Sequence, residues 1–185
     1  METYKGKPEN ADGRLPREMR VYDLLDSLGI EYIRADHKSA YTMEDCKAID
    51  DALGVIMCKN LFLCTANQKQ YFMLLMPDDK PFKTKDITAQ IGTGRLSFGS
   101  SEKMLEYLDI EPGAVSIMGL MNDHDNQVQL LVDNDLLSEE FLGCHPCVNT
   151  SSLKLKTTDV FEGFVKAVHH DMKVVELPEY CKGDC

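Results

Sequence analysis

Residues 71–76, Tyr-Phe-Met-Leu-Leu-Met, are apolar at six successive positions and follow a second apolar run, 55–65, across the polar turn Ala66-Asn67-Gln68-Lys69. Two such runs so close together predict a strand pair over 57–65 and 71–76. The second run has no polar face to give to water, so it must be covered on both sides. The rest of the chain must therefore supply layers above and below a central sheet.

Periodicity along the chain provides them. Val21, Leu24, Leu25 and Leu28 share one face and Gly29 follows, which predicts a helix over 17–28, with a short strand over 30–34. Thr42 with Asp45 reads as a helix start, Cys46, Ile49 and Leu53 as its buried stripe, and Gly54 as its stop. A short helix is expected over 84–91, ended by Gly92-Thr93-Gly94. Another, capped by Ser100 or Ser101, carries Met104, Leu105 and Leu108. After the turn at Pro112-Gly113 come a strand over 127–132, a short helix over 136–141, and strands over 147–150 and 153–156. An amphipathic helix over 158–168 buries Val160, Phe161, Phe164, Val165 and Val168, and 173–177 reads as an edge strand. The expected fold class is mixed α/β: a curved, barrel-like sheet of about seven strands, mostly antiparallel or mixed, flanked by helices. It forms one domain over 15–177, with a frayed lead-in over 1–14 and a polar tail over 178–185.

Charge limits the partners. Against 20 Lys and Arg stand 31 Asp and Glu, a net charge of −11, so no broad basic face can neutralise many phosphates. A nucleic-acid ligand would have to be held by a few local cations. No apolar run is long enough to span a bilayer, and the polar first residues lack a signal-peptide core, which predicts a cytosolic protein. Seven cysteines, at 46, 58, 64, 144, 147, 181 and 185, read as reduced thiols rather than a disulfide framework.

Three segments can carry chemistry. Lys59 lies inside the apolar run 55–64 beside Asn60. The plainer reading is a strand residue facing solvent; the functional one is an ammonium at a buried edge that meets a phosphate or carbonyl oxygen. His145 sits in Gly143-Cys144-His145-Pro146-Cys147-Val148-Asn149-Thr150, where flanking Gly and Pro suit a fixed loop leading into a strand. Such a loop can hold an imidazole for proton transfer, although a lone histidine is more often structural. The C-x-x-C at Cys144 and Cys147 admits redox chemistry, or a zinc site completed by Cys181 and Cys185. It does not open a helix after a strand, however, as a thioredoxin-like motif must. Pro112-Gly113-Ala114-Val115-Ser116 is either an ordinary loop or a backbone left uncovered for close approach to a ligand. No P-loop, G-x-G-x-x-G, H-E-x-x-H or G-x-S-x-G occurs, so nothing suggests a nucleotide cofactor or a serine nucleophile.

Taken in order, these segments resemble one family. They are Leu28-Gly29-Ile30 with Tyr32, His37, Thr42 and Glu44; Cys58-Lys59-Asn60-Leu61-Phe62-Leu63; Arg95-Leu96-Ser97-Phe98 with Ser100 and Glu102; Pro112-Gly113-Ala114-Val115-Ser116; Gly119-Leu120-Met121-Asn122-Asp123; and His145-Pro146 with Asn149-Thr150. The set is similar to the YbaK / prolyl-tRNA-synthetase-associated domain superfamily, and within it to the freestanding Ala-tRNA(Pro) deacylases, over roughly 17–168.

The resemblance implies metal-free, cofactor-free hydrolysis of an aminoacyl ester. The family's essential lysine maps onto Lys59, its histidine onto His145 and its glycine-rich substrate loop onto Gly113, Ala114, Val115 and Ser116. Asn60, Thr42, His37 and Asn149 join the substrate-binding set. The family loop usually ends in proline; here Ile117 stands in its place, which leaves open whether alanine or another small residue, serine or cysteine, is removed. Lys59 and the 113–116 turn are expected to converge on one small cleft that excludes prolyl esters by size. Lys80, Lys83, Lys85 and Arg95, with Lys103, would grip the tRNA acceptor end, and prolyl-tRNA synthetase is a candidate partner. A non-catalytic sensor of prolyl-tRNA or an amino acid remains the alternative of a different class.

Overall fold

The computed structural model describes residues 1–39 and 43–179. Nine strands form two sheets among them, rather than one sheet of about seven. In sheet 1, β1 (Thr3–Lys5), β2 (Tyr32–Asp36), β8 (Ser151–Lys156) and β7 (Phe141–Cys144) lie side by side in that order, each antiparallel to its neighbour. Sheet 2 runs β5 (Leu96–Phe98), β3 (Lys59–Thr65), β4 (Tyr71–Met76), β6 (Val128–Asp133) and β9 (Met172–Val175). Its first two ladders are antiparallel, and β4–β6 and β6–β9 are parallel.

All six residues of β4 are buried, as the apolar run required. One face of sheet 2 sends Phe62, Cys64, Met73 and Leu75 into a main core. That core is shared with Tyr32, Leu153 and Leu155 of sheet 1, with helix α1 (Pro16–Ser27) and with helix α4 (Ser101–Leu108). The opposite face packs Leu63, Phe72, Leu74 and Met76 against Ile87 of helix α3 (Lys85–Ile91). Helix α2 (Met43–Leu53) lays Ile49 and Leu53 on Ala35, on the outer side of sheet 1.

The two sheets touch at one seam. Met57 bridges Gly143, and the Cys58 N–H donates to the Gly143 carbonyl at 2.9 Å. A Cβ at position 143 would lie 2.8 Å from Met57 Sδ and 3.0 Å from the Ile56 carbonyl oxygen, so the approach requires glycine. The sheets meet there without closing into a barrel among the described residues.

Several local expectations are corrected. Residues 147–150 are a loop, because Cys147 takes φ +62° just after Pro146. The strand preceding β8 is β7, and the short helix expected over 136–141 is a 3₁₀ turn, Asn134–Ser138. The last helix opens as a π-helix, Asp159–Phe164, continued by α5 (Val165–Ala167). Cys46 is exposed rather than part of the buried stripe, and Leu105 is 47% exposed. Within the lead-in, Thr3–Lys5 pair with β2. No helix among the described residues is long and apolar enough to cross a membrane.

Candidate functional site

The seam positions the site. Side chains alternate along β3, so Asn60 faces the main core side with Phe62 and Cys64, while Lys59 faces the other side with Leu61 and Leu63. Asn60 Oδ1 accepts the Ile117 N–H at 3.0 Å, and its Nδ2 donates to the Cys58 carbonyl at 2.9 Å. The amide is therefore clamped between the sheet seam and the turn that starts at Gly113.

That turn is held from a second direction. Ser116 Oγ donates to the His145 carbonyl at 2.5 Å and accepts the Met118 N–H at 3.2 Å. Gly113 has φ +91°, and a Cβ there would lie 3.8 Å from Asn149 Nδ2, so the β7–β8 loop lies beside the turn. Asn149 Oδ1 accepts from Ser39 Oγ at 3.2 Å. The Ala114 N–H is spent on the Glu111 carbonyl at 3.1 Å, which removes it from the expected set of uncovered donors. Among the described residues, the N–H groups of Gly113 and Val115 meet no protein acceptor.

His37 and His145 complete the cluster, their ring centroids 6.3 Å apart. His37 leaves the end of β2, where Arg14 and Arg34 hydrogen bond to Asp36. Burial raises the Asp36 carboxyl, but the two guanidiniums outweigh it and hold the group below its ordinary range. His145 Nδ1 lies 2.9 Å from the Ser151 carbonyl oxygen, and burial, with the neighbouring His37, pushes its pKa down. An imidazole so placed is neutral at pH 7 and able to accept a proton.

The chain matches the model of the aminoacyl-tRNA editing domain over residues 37–162, which includes Asn60, the 113–117 turn and both histidines. The chain belongs to the aminoacyl-tRNA editing domain family. As a member it is an editing hydrolase. It is 33% identical over 153 residues to the prolyl-tRNA editing protein ProX of Acetoanaerobium sticklandii, covering 83% of this chain and 93% of that one. It is 30% identical over 151 residues to the mouse (Mus musculus) prolyl-tRNA synthetase associated domain-containing protein 1, covering 80% and 88%. A solved structure described as a candidate trans-editing enzyme for prolyl tRNA synthetase superposes with a TM-score of 0.65 over 89% of this chain and 99% of that one; at 15% identity it speaks for the fold.

Of the residues expected in the site, Asn60, Gly113, Ser116, His145, Asn149 and His37 belong to one connected group in this editing domain. Lys59 does not touch the turn. Its ammonium donates to the carbonyl of Asp78 and to that of Lys80 at 3.3 Å, and lies 3.7 Å from Asp78 Oδ1. The expected convergence of Lys59 with residues 113–116 is thus corrected: its neighbour Asn60 makes the contact. Thr42 lies outside the described residues, as do Cys181 and Cys185 of the zinc alternative.

Lys80 is buried, with its Nζ 3.0 Å from Asp133 and 2.5 Å from Asp135, so its charge is consumed inside the fold. Lys85, which opens α3, and Arg95 are exposed, and Lys83 just before the helix is half-buried. Cys144 and Cys147 are buried; burial pushes the Cys147 thiol up to about 12 and Cys144 further in the same direction, which disfavours the thiolate that redox chemistry needs. Sequence reasoning missed Ser152, which is fully buried between the two histidines. Only the strand register brings it there.

A cleft of about 930 Å³ lies beside Cys58 and the 77–81 loop, and another of about 680 Å³ lies on sheet 1 near Tyr32. Neither is lined by the 113–116 turn. The larger one carries eight carboxylates, among them Asp78, Asp135 and Glu139, with Lys80 as its cation. Such a wall is unfavourable for phosphate.

Proposed function

We propose that the chain hydrolyses Ala-tRNA(Pro) in trans, with the ester bound between Asn60, the 113–117 turn and His145. The observation that carries this reading is the hydrogen-bond mesh joining those three elements in a family whose members edit aminoacyl-tRNA. The N–H groups of Gly113 and Val115 are the donors for the oxyanion that develops as water attacks the ester; one such donor is worth about 3–4 kcal/mol. A water oriented by the terminal hydroxyl of the tRNA is the nucleophile, and His145 takes or relays its proton. Lys59, on the other face of β3, serves the terminal phosphate rather than the ester, once its ammonium leaves the carbonyls of Asp78 and Lys80.

Selectivity follows from size. A synthetase pocket built for proline discriminates weakly against the smaller alanine, because a few methylene groups are worth only about 1–3 kcal/mol each. A second, smaller site removes the error. The names of its relatives associate them with prolyl-tRNA synthetase, and a loose association with that enzyme is part of the proposal. Lys83, Lys85 and Arg95 are the candidate contacts for the tRNA body, with weak, salt-sensitive affinity.

Single-turnover deacylation of a panel of Ala-, Ser-, Cys- and Pro-tRNA(Pro) tests the reading. Fastest turnover of the alanyl ester with the prolyl ester spared is expected. Preference for seryl or cysteinyl ester would reassign the substrate, and equal inactivity on every ester would favour a binding module.

A further inference from the structure

Ser152 Oγ lies 2.9 Å from His37 Nε2 and 3.3 Å from His145 Nδ1, in a side chain with no exposure to solvent. The proton positions in this group follow from its acceptors. His37 Nδ1 is 2.8 Å from the Lys38 carbonyl oxygen and His145 Nδ1 is 2.9 Å from that of Ser151. A carbonyl oxygen can only accept, so both Nδ1 atoms carry hydrogen. In two neutral rings both Nε2 atoms are then bare. The Ser152 hydroxyl must donate to His37 Nε2, and with its one proton spent it can only accept, as the longer branch of a three-centre bond, the His145 Nδ1–H that also points to the Ser151 carbonyl.

We propose that Ser152 is a positioning residue, linking His37 to His145 and holding His145 with Nε2 unprotonated and available to the reacting water. The chain of donors runs in one direction, from His145 Nδ1 through Ser152 Oγ to His37 Nε2, with His37 Nδ1 anchored on its neighbour's carbonyl. The strand register makes this possible: Ser151 turns inward, its Oγ 3.1 Å from Tyr22 Oη, and Ser152 turns outward to the histidines. The use of His145 Nε2 as a proton acceptor rests on the editing reading above; the tautomers do not.

The test is nitrogen-15 NMR of histidine-labelled protein near neutral pH, paired with single-turnover kinetics. The wild type should show His37 and His145 as Nδ1–H tautomers. In Ser152→Ala the His37 Nε2 resonance should move, His145 should lose its single tautomer, and kcat should fall about tenfold with KM little changed. Ser152→Thr, which keeps the hydroxyl, should restore the resonances. An Nε2–H tautomer for wild-type His145 overturns the proposal without recourse to any variant. So does a Ser152→Ala protein whose ring signals and kcat match the wild type. Correct tautomers in a protein inactive on every ester would leave the link standing and remove the proposed substrate.

Discussion

Asn60 Oδ1 accepts the Ile117 N–H at 3.0 Å, a bond that ties the start of a central strand to the turn of the candidate site. Ile117 is 1% exposed, so an orphaned N–H there costs about 1–3 kcal/mol. Asn60→Ala should lower stability by that amount and kcat/KM by about tenfold or more, read by denaturant unfolding and single-turnover deacylation. Ile117→Pro removes the same bond from the other side, together with part of a buried side chain. Ser116 is already extended, at φ −150° and ψ 146°, so the backbone before residue 117 accepts proline. An Ile117→Pro protein as stable and active as its parent would show that the bond does not hold the turn.

Lys59→Ala should remove most deacylation, while a fold held chiefly by the two sheets stays intact. Among the described residues its ammonium meets two carbonyls and the exposed Asp78. Circular dichroism and single-turnover rates separate the two effects. A fully active Lys59→Ala enzyme would mean that the ammonium belongs to the 77–80 loop alone.

Activity should follow the protonation of His145. Burial, helped by His37, lowers its pKa, so the folded value lies below the ordinary ~6.5. The neutral ring is the favoured form at pH 7, and its contribution to stability is complete above ~6.5 and lost as pH falls through the lowered folded value. The acid limb of kcat/KM should therefore have its midpoint below ~6.5. A midpoint above that, in a single-turnover pH series, would remove His145 from the proton path.

Thiol chemistry should be absent from the mechanism. Burial raises Cys58 and Cys147 to about 12, with Cys144 raised as well. Native-state alkylation read by mass spectrometry should spare these three until denaturant is added. Cys144→Ser/Cys147→Ser should retain deacylation.

Lys80→Ala should act on stability rather than on tRNA. Removing the ammonium leaves Asp133 buried and unpaired, which costs about 3–5 kcal/mol. KM for tRNA should be unchanged when measured below the unfolding transition. A raised KM with unaltered stability would return Lys80 to the tRNA-binding set.

The sequence by itself determined the double-sided cover of β4, the helix over α1, the turn at Pro112-Gly113 and the editing family, because each is written in a run of neighbouring residues. It also placed His145 in a loop beside a strand. The tertiary structure decided what depends on register and on which face a strand turns inward. The alternation that gives Asn60 rather than Lys59 to the site has a period of two, and no local pattern distinguishes its phase in a strand buried on both sides. The position of Ser152 between His37, 115 residues before it, and His145, 7 residues before it, follows from the β2–β8 pairing, in which Ala35 faces Ser152. The charge on Lys80 looked available in sequence because Asp133 and Asp135 approach it only when β6 packs beside β4. Contacts between residues far apart in the chain are set by the packing of whole elements, and that information is spread over the entire core.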